Sequence, residues 1–119
     1  MTWLLGVLVA LVAHVVAGWP FSVLGGVIVG YRMVDRGWLW GGLAVGASWA
    51  GLVAYNFIAA ADPTAEMIRV MARILGNMPE PLFVVLTIFT GCVLGVCGGL
   101  VGAQAARVAR TRTALAVRR

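Results

Sequence analysis

The chain has 119 residues, of which 62% are hydrophobic and only 11% charged, whereas an ordinary soluble domain carries about 25% charged residues. Its net charge of +5 rests on arginine alone, because the sequence contains no lysine. Three stretches, residues 2–31, 37–61 and 82–106, contain no Asp, Glu, Lys or Arg. An uncharged apolar run of about 18 or more residues is the mark of a membrane-spanning helix, so little sequence is left for a water-soluble domain.

The first stretch is too long for one simple span. As a single helix, Thr2 to Tyr31 would measure about 45 Å against a hydrocarbon core of ~30 Å. Pro20 disfavours helical geometry at Trp19, and Gly18 weakens the helix beside it. The break predicts two short helices, about 3–18 and 20–34, joined by a hairpin turn at "GWP". Aromatic residues prefer membrane–water interfaces. The split puts Trp3 at one interface and Trp19 at the other, with Tyr31, Trp38 and Trp40 back at the first. A secretory signal peptide would need a basic segment ahead of the apolar run, and Met1-Thr2-Trp3 provides none. "RMVDR" is then the next loop, and 37–61 and 82–106 are full-length spans of about 37 Å each. The predicted fold is all-α: a four-helix membrane bundle, residues 1–119 forming one integral membrane domain.

Between the last two spans, "DPTAEMIRVMARILGNMPEP" predicts a short amphipathic helix over about 63–76. Asp62 is a candidate cap, Pro63 suits the first helical position, and Gly76-Asn77 is a stop signal. Met67, Met71, Ile74, Leu75 and Met78 share one helical face, which is expected to lie in the interface against lipid and the bundle. The segment 107–119 is expected to prolong the last helix as a basic tail. Arg107, Arg110, Arg112, Arg118 and Arg119 are its candidate contacts to anionic lipid headgroups. With four spans, seven arginines fall on one side and Arg69 and Arg73 on the other. The positive-inside rule therefore predicts a multi-pass protein of the plasma (cytoplasmic) membrane with both termini cytoplasmic, and a re-entrant first hairpin would give the same sides.

Glycine dominates the spans. Gly26 and Gly30 are four apart, as are Gly42 and Gly46, and Gly91, Gly95 and Gly99 form a longer ladder with Gly98 and Gly102 beside it. Small residues at this spacing let two helix backbones approach closely, a main source of association in lipid. Leu94 points in another helix direction and is expected to be the tolerant neighbour of Gly95 if that side faces lipid. "VLGGVIVGYRMVDR" and "VCGGLVGAQAARVAR" also echo each other, and both would leave the membrane on the same side.

Catalysis needs titratable or nucleophilic groups that converge, and no span supplies an Asp, Glu, Lys or Arg. His14 is the one histidine and the one candidate intramembrane polar site. Cys92 and Cys97 are five apart and project from different faces, a poor metal pair. No catalytic, cofactor or metal residues are therefore assigned. Nucleic acid is not an expected partner, because no stacking aromatic accompanies the arginines. Segment 18–55, with "GGVIVGY" followed by "GWLWGGLAVGA", resembles uncharacterised glycine-rich four-span membrane proteins, chiefly archaeal. That resemblance implies a fold without an activity. By size the chain also resembles the small multidrug transporters and small fluoride channels. It lacks the first-span glutamate of the former and the Asn and Phe motifs of the latter. The expected function is a non-enzymatic structural or accessory subunit packing through its glycine faces, with itself or within a larger membrane complex. The alternative is a homo-oligomeric channel or small transporter.

Overall fold

The computed structural model describes residues 1–117, and these are helical nearly throughout. Five α-helices run in the order α1 (Thr2–Ala17), α2 (Val23–Arg32), α3 (Gly37–Ala59), α4 (Ala61–Ile74) and α5 (Glu80–Val117), with a 3-10 turn at Trp19–Ser22 between α1 and α2. No strand occurs among the described residues. Arg118 and Arg119, two of the expected headgroup contacts, lie outside the described residues.

The break at "GWP" has a local cause. Gly18 takes φ +101°, a left-handed conformation that favours glycine, and donates its N–H to His14 O at 3.1 Å. Pro20 sits in the first turn of the 3-10 segment, where its missing N–H costs nothing. The chain then reverses. Gly6 lies against Gly25 and Val29, and Ala10 against Gly25, so α1 and α2 are antiparallel. The α-helical part of α2 is only 10 residues and stops at Arg32, shorter than the expected 20–34 because its first turn is 3-10 and Met33 leaves helical geometry.

α5 is the longest element at 38 residues, about 57 Å of helix, and the molecule measures 64 × 27 × 21 Å. Its bundle-facing residues are small: Gly91, Gly95, Gly98, Gly99, Gly102, Ala103 and Ala106 are buried. Large residues (Leu82, Val85, Leu86, Phe89, Val93, Leu100 and Val101) point outward and are exposed. The small stripe receives two helices at once. α2 runs parallel to it, with Gly26 against Gly95 and Gly30 against Gly99; α3 runs antiparallel, with Gly41 against Gly95 and Gly37 against Gly99. The two echoing glycine segments thus lie side by side, in parallel, and both end where the arginines are.

This register sorts the charges. Arg32 ends α2 and Asp35 and Arg36 follow it, while Arg107, Arg110 and Arg112 ride on the far part of α5 at the same end. Asp62, Glu66, Arg69, Arg73 and Glu80 gather at the other. There Arg69 pairs with Glu66 at 2.6 Å and Glu80 at 3.2 Å. The three groups are about half exposed, so these pairs position α4 against the start of α5 more than they stabilise the fold.

α4 differs from expectation in two respects. It begins at Ala61 rather than Pro63, and the buried face is Ile68 and Ala72. Met71, Ile74 and Leu75 are exposed and turned away from the bundle, while Met67, half-exposed, borders the space between α4 and the bundle. The reason is that α4 has two apolar edges, and the narrower one, with Ala65, Ile68 and Ala72 in sequence, lets the helix approach α3 and α5. Its C-terminus turns at Gly76 (φ +94°) and Asn77 (φ +57°), with Met78 N–H donating to Ala72 O at 3.1 Å.

Leu94 also departs from expectation: it packs against the core cluster of Ala10, Val45 and Trp49. Val93, which is exposed, is the outward-facing control instead. A methyl group at Gly95 would meet the Gly41 carbonyl carbon at 2.8 Å and Gly42 Cα at 2.9 Å, both backbone, whereas at Gly51 it would meet nothing within 4 Å. Gly95→Ala is therefore expected to lower thermal stability in detergent by more than ~1 kcal/mol. Gly95→Leu should cost more. Gly51→Ala should be neutral or stabilising by up to ~1 kcal/mol through helix propensity, and Val93→Ala should stay near neutral. Equal midpoints for Gly95→Ala and Gly51→Ala would refute the seam.

Candidate functional site: a cavity beneath α4

Glycine contact does not extend along the whole bundle. Towards the acidic end the last inward glycine of α5 is Gly91, and it faces Trp49 of α3 rather than another backbone: a methyl there would stand 2.7 Å from the indole Cγ. Trp49 is buried and held in place. Its indole N–H donates to Ser22 Oγ at 3.1 Å, and Ser22 Oγ donates to the Trp19 carbonyl at 2.7 Å. This chain of bonds ties the mid-point of α3 to the 3-10 turn. Trp49 then acts as a spacer. Beyond it the helices spread, and α4 crosses the gap.

The space so formed is a cavity of ≈ 330 Å³. α1 contributes His14 and the turn contributes Trp19. α3 supplies Trp49, Leu52, Val53 and Asn56, α4 supplies Thr64, Met67 and Ile68, and α5 supplies Phe83, Val84 and Thr87. The His14 ring meets Trp49 edge-on, with centroids 5.3 Å apart and planes at 90°, a favoured aromatic geometry. His14 Nδ1 is buried and has no hydrogen-bond partner. Thr64 Oγ1 donates to Asn56 O at 3.1 Å, and Thr87 Oγ1 to Phe83 O at 2.9 Å. Both hydroxyls have spent their protons on backbone and retain acceptor lone pairs. Among the described residues no Asp, Glu, Lys or Arg lines the cavity.

The remaining candidates fall elsewhere. Gly26, Gly30, Gly42, Gly46, Gly91, Gly95 and Gly99 all face the chain's own helices: Gly42 lies on Val96 and Cys92, Gly46 on Cys92. The glycine faces that the sequence offers to a partner are taken up internally. Cys97 is exposed while Cys92 rests against α3, so the two thiols diverge. Arg107, Arg110 and Arg112 are exposed on the projecting part of α5, and Arg110 shares a surface hollow with Arg32, Arg36 and Trp40. The sequence singles out His14, and offers Ser22 as an interhelical hydrogen-bond partner, which it is for Trp49, but it does not single out Trp49 itself. The available signal was that Trp49 is the one tryptophan lying far from either predicted interface, which marks it as a core residue.

Ser22 is fully buried, so Ser22→Ala would strand the Trp49 indole N–H in an apolar interior. The expected cost is ~1–3 kcal/mol, read as a lower unfolding midpoint, with a shift in tryptophan emission. Trp49→Phe in the Ser22→Ala background should recover part of the loss, since no indole N–H is then left unpaired. No recovery would mean that the bond does not hold Trp49. In comparisons with protein families, curated proteins and solved structures, the chain matches none.

Proposed function

We propose that this chain is a four-span integral membrane protein, with both termini and the arginine end cytoplasmic, that serves as a non-catalytic structural or accessory subunit. The observation that carries the reading is where the large apolar side chains lie. α3 and α5 are long and apolar enough to cross a membrane, yet only 33% and 22% of their apolar windows are buried. The core helix of a soluble protein would be mostly buried. Here Leu4, Leu8, Val12 and Val16 of α1 also face outward, continuous in kind with the outer face of α5. Exposing so much apolar surface to water would be costly at roughly 25 cal/mol per Å², and lipid removes that cost.

α1 and α2 with its 3-10 turn make two short spans in this reading, and α4 lies in the outer interface with Met71 and Ile74 against lipid. The five described arginines of the cytoplasmic end satisfy the positive-inside rule and meet anionic headgroups. Since the inward glycines are occupied within the chain, a partner or second copy would dock on the apolar outer belt. α1 offers the freest face, because α5 packs on α2 and α3. The channel alternative is less well supported: the backbone contact of α2, α3 and α5 leaves no bore within one copy.

Single cysteines at positions 2, 19, 64 and 115, in a background lacking Cys92 and Cys97, test the topology with an impermeant thiol reagent on intact cells. Positions 19 and 64 should label from outside and positions 2 and 115 should not. Labelling at 2 would overturn the four-span reading, and protection at 19 with labelling at 64 would indicate a re-entrant first hairpin. Purification in mild detergent should then recover a fixed heteromeric partner. A discrete homo-oligomer alone would favour the channel.

A further inference from the structure

We propose that the cavity beneath α4 is a binding site for a neutral, hydroxyl-bearing amphiphile of small size. This goes beyond the membrane-subunit reading, and rests on it only for the ligand's route of entry.

The cavity is built rather than left over. Elsewhere this sequence closes helix contacts with glycine. Here it places Trp49 as a spacer and fixes the indole with a buried hydrogen bond of 3.1 Å to Ser22. Five segments supply walls, and aromatic faces from Trp19, Trp49 and Phe83 meet at one space. Its ≈ 330 Å³ sits at the small end of the ~300–1,000 Å³ typical of small-molecule sites. At the ~30 Å³ each water takes in the liquid, that is space for on the order of ten non-hydrogen atoms.

The wall chemistry selects the ligand. A charged group would enter without a counter-ion, at a desolvation cost that nothing here offsets, so the ligand is neutral. The walls are chiefly apolar and aromatic, so its body is apolar. The polar groups are a mixed set. Thr64 and Thr87 can only accept further bonds, having donated their own protons. A neutral imidazole carries one N–H and one lone pair, so His14, whose buried Nδ1 has no partner, can donate one bond and accept another. A hydroxyl both donates and accepts, and so suits this set better than a ketone, an ether or an amine.

α4 is the movable wall. It is held lightly by α3 and α5, its ion pairs are solvent-exposed, and its exit turns on Gly76 and Asn77. A ligand dissolved in the outer leaflet would enter beside it.

Photolabelling tests this with 3-azioctanol, a neutral eight-carbon alcohol carrying a diazirine, on the full chain in phosphatidylcholine nanodiscs, with adducts mapped by peptide mass spectrometry. Adducts should concentrate on Trp49, Met67 and Phe83, and excess 1-octanol should reduce them at least fivefold. Val53→Trp, which fills the cavity, should reduce them equally, and His14→Phe, which keeps a ring but removes both nitrogens, should raise the octanol needed for competition about tenfold. Adducts spread over outward residues such as Phe89 and Val93, with no competition, would overturn the site. Equal labelling of Val53→Trp would do the same, and if that variant fails to fold, competition on the wild-type chain decides. Carbonate extraction of membranes separates the two proposals. A chain released into the supernatant refutes the membrane reading, and competable labelling of the purified chain would still establish the site.

Discussion

The structure depends on one contact: the backbone of α5 touching the backbones of α2 and α3 at Gly95 and Gly99. In the membrane proposed for this chain no hydrophobic force would bring the helices together, so their association would rest on dispersion, close packing and local polar bonds. Those terms fall off steeply with separation, which is why one absent Cβ matters more here than a leucine would in a soluble core. A methyl on Gly26 would stand 2.7 Å from the Gly95 carbonyl oxygen, and one on Gly41 2.6 Å from the same atom. Backbone cannot swing aside as a side chain can.

From that contact the rest follows by geometry. α2 enters the seam parallel to α5 and α3 antiparallel, so the loop after α2 and the far part of α5 are forced to the same end. The arginines of residues 32–36 and of 107–112 are thereby gathered although they are distant in sequence. At the opposite end the seam runs out. Trp49 takes the place a fifth inward glycine contact would hold, and the helices part around His14. A bundle closed at one end and open at the other needs a cover, and α4 provides it with Ile68 and Ala72.

How much of this the sequence discloses depends on how local each signal is. A glycine ladder at spacing four is a property of one helix, so the stripe of α5 and Gly26 and Gly30 of α2 could be read directly. On α3 the spacing picks Gly42 and Gly46, which lie on Cys92 and Val96, whereas the backbones that meet Gly95 and Gly99 are those of Gly41 and Gly37. The break at Gly18-Trp19-Pro20 is likewise a matter of adjacent residues. What could not be read was direction. α4 carries apolar residues on two adjacent edges, and periodicity alone favoured the methionines, whereas packing uses the smaller Ile68–Ala72 edge. Leu94 points in another helix direction from Gly91, Gly95 and Gly99, but two helices share that stripe and widen the buried face to include it. The cavity depends on Ser22, Trp49 and His14 coming together from three elements, and no single-helix pattern encodes that. Whether a glycine face meets another part of the same chain or a second chain is also invisible to spacing, because both demand the same small residues.

Protein dilution separates a seam within one chain from a seam between two. Unfolding of the wild-type chain and of Gly95→Ala should be followed in detergent across about a hundredfold range of protein-to-detergent ratio, since association makes apparent stability depend on concentration. If the seam closes within one chain, the gap between the two midpoints stays constant at every dilution. A gap that shrinks as the protein is diluted would place the Gly95 contact between chains and contradict the architecture described above.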